Sequence, residues 1–261
     1  MGIRIGLSNG RRLVDDVIRV AAKMPMASVV RDMDLAELSR LRKQLRPKLS
    51  WNIIFMKAYS IVARENPELR QVYVPFPWPH LYQHDDNVCF LTLGKEYRDE
   101  TRLVFARFTN PESRTLMELH EQFEHFRRCE IDEVKQFRHQ IAFARCPSLF
   151  RRFVWWALFG AFPKKRVSNM GTFGMSISCM GKTKGVKTLG PASTIVAVDH
   201  MPRKGQSYFL YTFDHRILDG RPASRMVEET LSALNGPILE EVKRMLEQQK
   251  LEGAQTKSEA A

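Results

Sequence analysis

FDHRILDGRPASRMVEE, residues 213–229, holds the densest chemistry in the sequence. His215 closes a β-like run over residues 208–215, and a helical pattern begins a few residues later. Asp219 and Gly220 follow the histidine at four and five positions. An imidazole at a strand end with a carboxylate close by reads as a general base beside a structural anion. A surface histidine in a turn has the same local sequence, so the surroundings decide.

Two β-rich stretches precede it, GTFGMSIS (171–178) and STIVAVDHM (193–201). VCFLTL (88–93) and RLVFARF (102–108) read as core strands separated by a charged turn, GKEYRDE, and residues 27–33 are β-like as well. Between them lie helical patterns. Residues 11–22 place Leu13, Val14, Val17, Ile18 and Ala21 on one face, and Asp34 can cap a second helix with Leu35, Leu38, Leu41 and Leu45 inward and Pro47 past its end. Ser50 opens a helix that is apolar nearly all round and stops at Asn66-Pro67, so it is expected to be buried. After a proline-rich loop, VPFPWPH, and the strands, a long helical stretch starts at Pro111 and continues irregularly past Ile131, Val134 and Phe137. A final helix is expected over residues 223–234, followed by a polar tail, LEQQKLEGAQTKSEAA, frayed or helical without a core contact. Helices and strands mix without regular βαβ alternation, which points to an α+β fold.

With 261 residues, 44% of them hydrophobic, the chain has ample material for a core. Forty-one Lys and Arg against twenty-nine Asp and Glu give a net charge of +12. No acid occurs in residues 134–198, which contain Lys135, Arg138, Arg145, Arg151, Arg152, Lys164, Lys165, Arg166, Lys182, Lys184 and Lys187. A local excess of this kind suits nucleotide phosphates, a lipid surface or an acidic carrier protein. Nucleic acid is disfavoured, because no recognition helix or aromatic RNA-binding motif is present. Cys89, Cys129, Cys146 and Cys179 show neither disulfide nor zinc-site spacing, so no metal is expected and a reducing cytoplasm is the simplest compartment. The N-terminus lacks the apolar core of a signal peptide, and the longest apolar stretch, residues 153–162, is half a membrane span.

FDHRILDGRPASRMVEE resembles the carboxy-terminal signature of the dihydrolipoamide acyltransferase catalytic domains of 2-oxoacid dehydrogenase complexes, relatives of chloramphenicol acetyltransferase. DMDLAELSRLRKQL (32–45), SWNIIFMKAYSIVARENPEL (50–69), LVFARFTNPESRTLMELHEQ (103–122) and GTFGMSISCMG (171–181) fall in that family's order. The resemblance implies a chloramphenicol acetyltransferase-like two-layer sandwich with a mixed sheet, assembled as a homotrimer with active sites between subunits. It implies a coenzyme A-dependent acyltransferase over residues 1–250, with residues 251–261 a polar tail. His215 matches the general base, and Ser178 matches the serine that donates to the tetrahedral oxyanion. Asp219, with Gly220, matches a structural carboxylate that holds the histidine loop through an arginine. Lys182, Lys184 and Lys187 follow the serine and are expected to face the phosphates of coenzyme A. Cys179 stands where the family more often has asparagine and reads as a buried apolar cysteine or a reactive thiol.

Three departures are expected. The chain begins at the catalytic domain, so no lipoyl or subunit-binding domain and no lipoyl attachment are expected, and the acceptor need not be dihydrolipoamide; the expected acyl donor is acyl-CoA or an acyl carrier protein. Its hydrophilic end suggests a free-standing trimer. Residues 135–166 look like an insertion, in which Phe153, Trp155, Trp156 and Phe159 lie between basic residues. Three readings stay open for it: an interfacial helix on an anionic membrane, an extra helix packed on the trimer, or a wall for a long acyl chain with basic residues docking an acidic carrier.

Overall fold

The computed structural model describes residues 2–3, 5–97, 100–177, 190–200 and 206–259. Its centre is a six-stranded sheet of β1 (Met26–Asp34), β4 (Val88–Tyr97), β5 (Glu100–Thr109), β6 (Phe173–Ile177), β7 (Thr194–His200) and β8 (Gln206–Asp214), in the order β1-β8-β7-β6-β4-β5. β6 runs parallel to both neighbours and the remaining pairs are antiparallel, so the sheet is mixed. β2 (Gln71–Val74) and β3 (His80–Gln83) form a separate hairpin around the proline-rich loop, which the sequence reading had left without strands. The expected charged turn is also shorter: Gly94 to Tyr97 belong to β4, because they continue its ladder with β5.

One face of the sheet carries the main core. α3 (Trp51–Glu65) starts at Ser50, whose hydroxyl accepts from the Asn52 amide at 3.2 Å, and it is buried nearly throughout. Its Phe55 stacks on Phe209 and its Tyr59 packs against Phe173 and Tyr211, which seats the helix across β8 and β6. α2 (Ala36–Arg42), α4 (Leu116–Arg128) and α8 (Gly220–Ala233) add Leu38, Leu119, Phe126 and Met226 to the same core. All four leucines of the expected inward stripe, Leu35, Leu38, Leu41 and Leu45, are buried, but the N-cap of α2 is Leu35 rather than the expected Asp34, which ends β1 and accepts from the Ala36 amide from one residue further out. Thr115 and Glu118 close a capping box at the start of α4.

The opposite face meets α1 (Asn9–Ala21), whose Leu13 and Val17 pack beside Phe105. Residues 135–170 fold as α5 (Lys135–Arg145), α6 (Ser148–Gly160) and α7 (Pro163–Met170). Gly171 then turns into β6 at φ +72°, where a Cβ would stand 2.6 Å from the Val88 carbonyl oxygen, so this glycine is required by the backbone.

α8 does not end the fold. After a kink at Gly236 and Pro237 the chain continues as α9 (Leu239–Glu259), with Val242 and Leu246 buried. The tail expected to lack core contact therefore begins inside a packed helix, and Gln249 still bonds both the amide and the carbonyl of Arg46. Lys57 of α3 and Glu241 of α9 form a short, largely buried ion pair, and Glu241 also accepts from the Leu116 amide at 2.7 Å, which joins α3, α4 and α9.

Candidate active site

β8 is a central strand whose residues from Phe209 to Asp214 are all buried, and it delivers the histidine to the end of the sheet. Asp214, its last residue, accepts from the Arg216 amide at 3.1 Å and from the Arg216 guanidinium at 2.9 and 2.6 Å. A carboxylate that caps its own turn two residues on fixes the loop locally. A buried charge also needs such a partner. The Arg216 guanidinium lies 4.2 Å above the Tyr73 ring, and Arg166 donates to the Tyr73 carbonyl at 3.1 Å. Burial pulls Arg166 down to about 10, with Asp214 opposing the shift and Arg216 adding to it.

On this platform His215 is half exposed, its amide donating to the Pro25 carbonyl at 2.9 Å and its ring 5.8 Å from that of Phe213. Nδ1 stands 3.4 Å from Asp219 Oδ1. Asp219 is 83% exposed and has no arginine contact among the described residues, whereas Asp214 pairs with Arg216 inside the turn. The physical reason is burial: Asp214 lies inside the strand end and Asp219 outside it, at the start of α8. A Cβ on Gly220 would meet nothing within 4 Å among the described residues.

Ser178, Cys179, Lys182, Lys184 and Lys187 lie outside the described residues. The strand leading to them is described, and its register is informative. Phe213 pairs with Thr194, and Thr194 with Phe173, so His215 stands at the end of the sheet where β6 begins. Ile177, the residue before Ser178, shares a row with Val198 and Phe209. Four strand positions, or ~13 Å, separate that row from the row of Phe213.

The aromatic helix α6 divides into two faces. Inward, Trp155 is buried beside Leu13 and Val17 of α1 and stacks near Phe143 and Phe159. Arg151, on the same side, forms a buried ion pair with Asp16. Arg166 of α7 is also buried, 4.0 Å above the Phe159 ring. Outward stand Leu149, Phe150, Phe153 and Trp156, all more than half exposed, with Arg152 among them. Of the expected lipid or acyl-chain contacts, Phe153 and Trp156 therefore face solvent, Phe159 is half-buried, and Trp155 is buried in the packing of α6.

No protein-family model matches the sequence, and no curated protein matches it. Solved structures do. The dihydrolipoamide acetyltransferase of Azotobacter vinelandii superposes with a TM-score of 0.68 at 14% identity, over 92% of this chain and 94% of that one. The catalytic core of the 2-oxoacid dehydrogenase complex from Thermoplasma acidophilum gives 0.64 at 13%, over 91% and 99%. This chain has the dihydrolipoamide acetyltransferase core fold. A chloramphenicol acetyltransferase is similar more distantly, with a TM-score of 0.50 at 14% identity over 88% of this chain and 96% of that one. The Azotobacter structure concerns the role of a serine, a histidine and an asparagine in that enzyme's catalytic mechanism, the last two four residues apart.

Within the acetyltransferase core fold, the residues that hold the histidine loop were not all legible beforehand. Asp214 closes a buried strand end, where a carboxylate needs a cation, and Arg216 is two residues away. Tyr73 and Arg166 reach the loop from elements distant in sequence, and nothing local marks them. Among the described residues there is no cluster of three or more His, Cys, Asp or Glu able to hold a metal, and no helix long and apolar enough to cross a membrane.

Proposed function

We propose that the protein is an acyltransferase that moves an acyl group from coenzyme A, or from a carrier phosphopantetheine, directly to a thiol or hydroxyl acceptor. The observation that carries this reading is His215, half exposed at the end of β8, braced from below by Asp214 and Arg216 and with Asp219 beside Nδ1. That spacing of four matches the histidine and asparagine of the Azotobacter enzyme. In the proposed step, Nε2 takes the proton of the acceptor as its sulfur or oxygen attacks the thioester carbonyl. Ser178 donates to the oxyanion that develops, and collapse expels the coenzyme A thiolate, which recovers the proton from the imidazolium. Lys182, Lys184 and Lys187 are assigned to the phosphates of the nucleotide.

We infer further that the site is shared between subunits of a trimer. The sheet register supports this, since His215 and the end of β6 lie at opposite ends of one chain's sheet. A histidine from one copy facing a serine from the next resolves the separation. The test is release of free thiol from acyl-CoA in the presence of candidate acceptors, which His215→Ala is expected to abolish. Full activity in that variant rules the mechanism out.

A second reading, a membrane-surface binding module, is favoured by the outward face of α6. Leu149, Phe150, Phe153 and Trp156, with Phe162 beyond them, are exposed next to Arg152, Lys164 and Lys165. Aromatic rings flanked by cations suit the headgroup layer of an anionic bilayer. Binding to anionic but not neutral vesicles, with thioester chemistry absent, would select it.

A further inference from the structure

A groove of about 670 Å³ runs between α1, α6 and the segment that follows β2. Tyr73, Phe76, Trp155, Trp156 and Phe159 supply five aromatic rings to it. Arg19, Lys23, Arg152, Arg166 and Arg216 stand along the same walls, against a single lining carboxylate, Asp16.

The charges do not cancel. Asp16 is bonded to Arg151, Arg216 to Asp214, and Arg19 to Asp15 at 2.7 Å. Lys23, Arg152 and Arg166 have no carboxylate partner among the described residues. Arg166 is 2% exposed and, among the described residues, donates to the carbonyls of Tyr73 and Pro191. The indole Nε1 of Trp155, itself 4% exposed, has no hydrogen-bond partner among the described residues. An inorganic anion answers the cations but leaves the rings in water, and a neutral hydrocarbon does the reverse.

We propose that this groove binds an anionic amphiphile, a single apolar chain carrying a phosphate or carboxylate head. The chain lies along Trp155, Trp156, Phe159 and Phe76, and the head meets Lys23 and Arg152, the exposed cations at the rim. Arg216, the neighbour of His215 in sequence, belongs to the same wall, so the groove lies beside the histidine loop. Binding there does not rest on the acyl-transfer reading.

The test titrates the full-length chain with decyl phosphate below its micellar concentration, read by tryptophan fluorescence. Saturable binding is expected, weakened about tenfold or more in the double variant Lys23→Ala, Arg152→Ala, whose far-UV circular dichroism should match the parent. 1-Decanol and inorganic phosphate are each expected to bind at least about tenfold more weakly than decyl phosphate. Absence of saturable binding, equal binding of either control, or an unchanged double variant overturns the proposal. Loss of thioester turnover in His215→Ala leaves this binding in place, so the two readings fail separately.

Discussion

Arg151 and Asp16, 135 residues apart, meet in a buried ion pair with Nε 2.5 Å from Oδ2. Both side chains are nearly inaccessible, and Arg151 also donates to the Cys146 carbonyl at 2.6 Å. The pair fixes α6 against α1 and so decides which side of an apolar helix faces outward. Removing one partner strands the other as a buried charge. Asp16→Ala is expected to lower the unfolding free energy by about 3–5 kcal/mol. Replacing both residues with apolar ones of similar volume is expected to recover most of the loss, and urea denaturation of the parent and the two variants measures both effects.

Trp155 and Trp156 are adjacent and should respond in opposite ways. Trp155→Ala empties a packed site against Leu13, Val17 and Phe159 and is expected to cost about 3–5 kcal/mol. Trp156 is 61% exposed, and its replacement should stay within about 0.5 kcal/mol of the parent. On the membrane reading, Phe153→Ser with Trp156→Ser lowers sedimentation with anionic vesicles while the melting temperature holds. Unchanged vesicle binding removes the outward face of α6 from that role.

Asp214 and Asp219 offer a second contrast. Loss of the Asp214 carboxylate leaves Arg216 without its partner under the histidine loop, so Asp214→Ala is expected to destabilise the protein by about 3 kcal/mol and to depress acyl transfer. Asp219→Ala removes an exposed group and should leave stability within about 0.5 kcal/mol. Its effect on turnover isolates the contribution of the contact to Nδ1. If Asp219→Ala unfolds the protein more readily than Asp214→Ala, the assignment of the buried support is wrong.

A site shared between subunits makes a prediction that no single-chain site makes. His215→Ala and Ser178→Ala chains, each inactive alone, should regain activity when refolded together. Random equimolar mixing in a closed threefold ring leaves about a quarter of the sites with both side chains intact. Thiol release near that fraction of the parent rate is expected, and none if the two residues act within one chain.

Much of the fold was legible because its signals are local. The inward stripe at Leu35, Leu38, Leu41 and Leu45 and the cap at Ser50 are short-range rules, and each element they mark is present. The β2 and β3 hairpin was missed because its strands are four residues each, too short for alternation to stand out. α9 was missed because a polar helix seated on a narrow stripe, Val242 and Leu246, looks like a tail.

The sequence by itself determined the order of the six strands of the main sheet, the concentration of positive charge in residues 134–198 and the placing of His215 at a strand end. Tertiary structure alone decided that Asp214 is the buried carboxylate paired with Arg216, that Arg151 and Arg166 are buried while Arg152 and Lys165 are exposed, and that β6 ends far from the histidine. The difference is physical. Periodicity, capping and turn chemistry act over a few residues, whereas the partner of a charge and the inner face of a helix apolar on all sides are set by long-range packing.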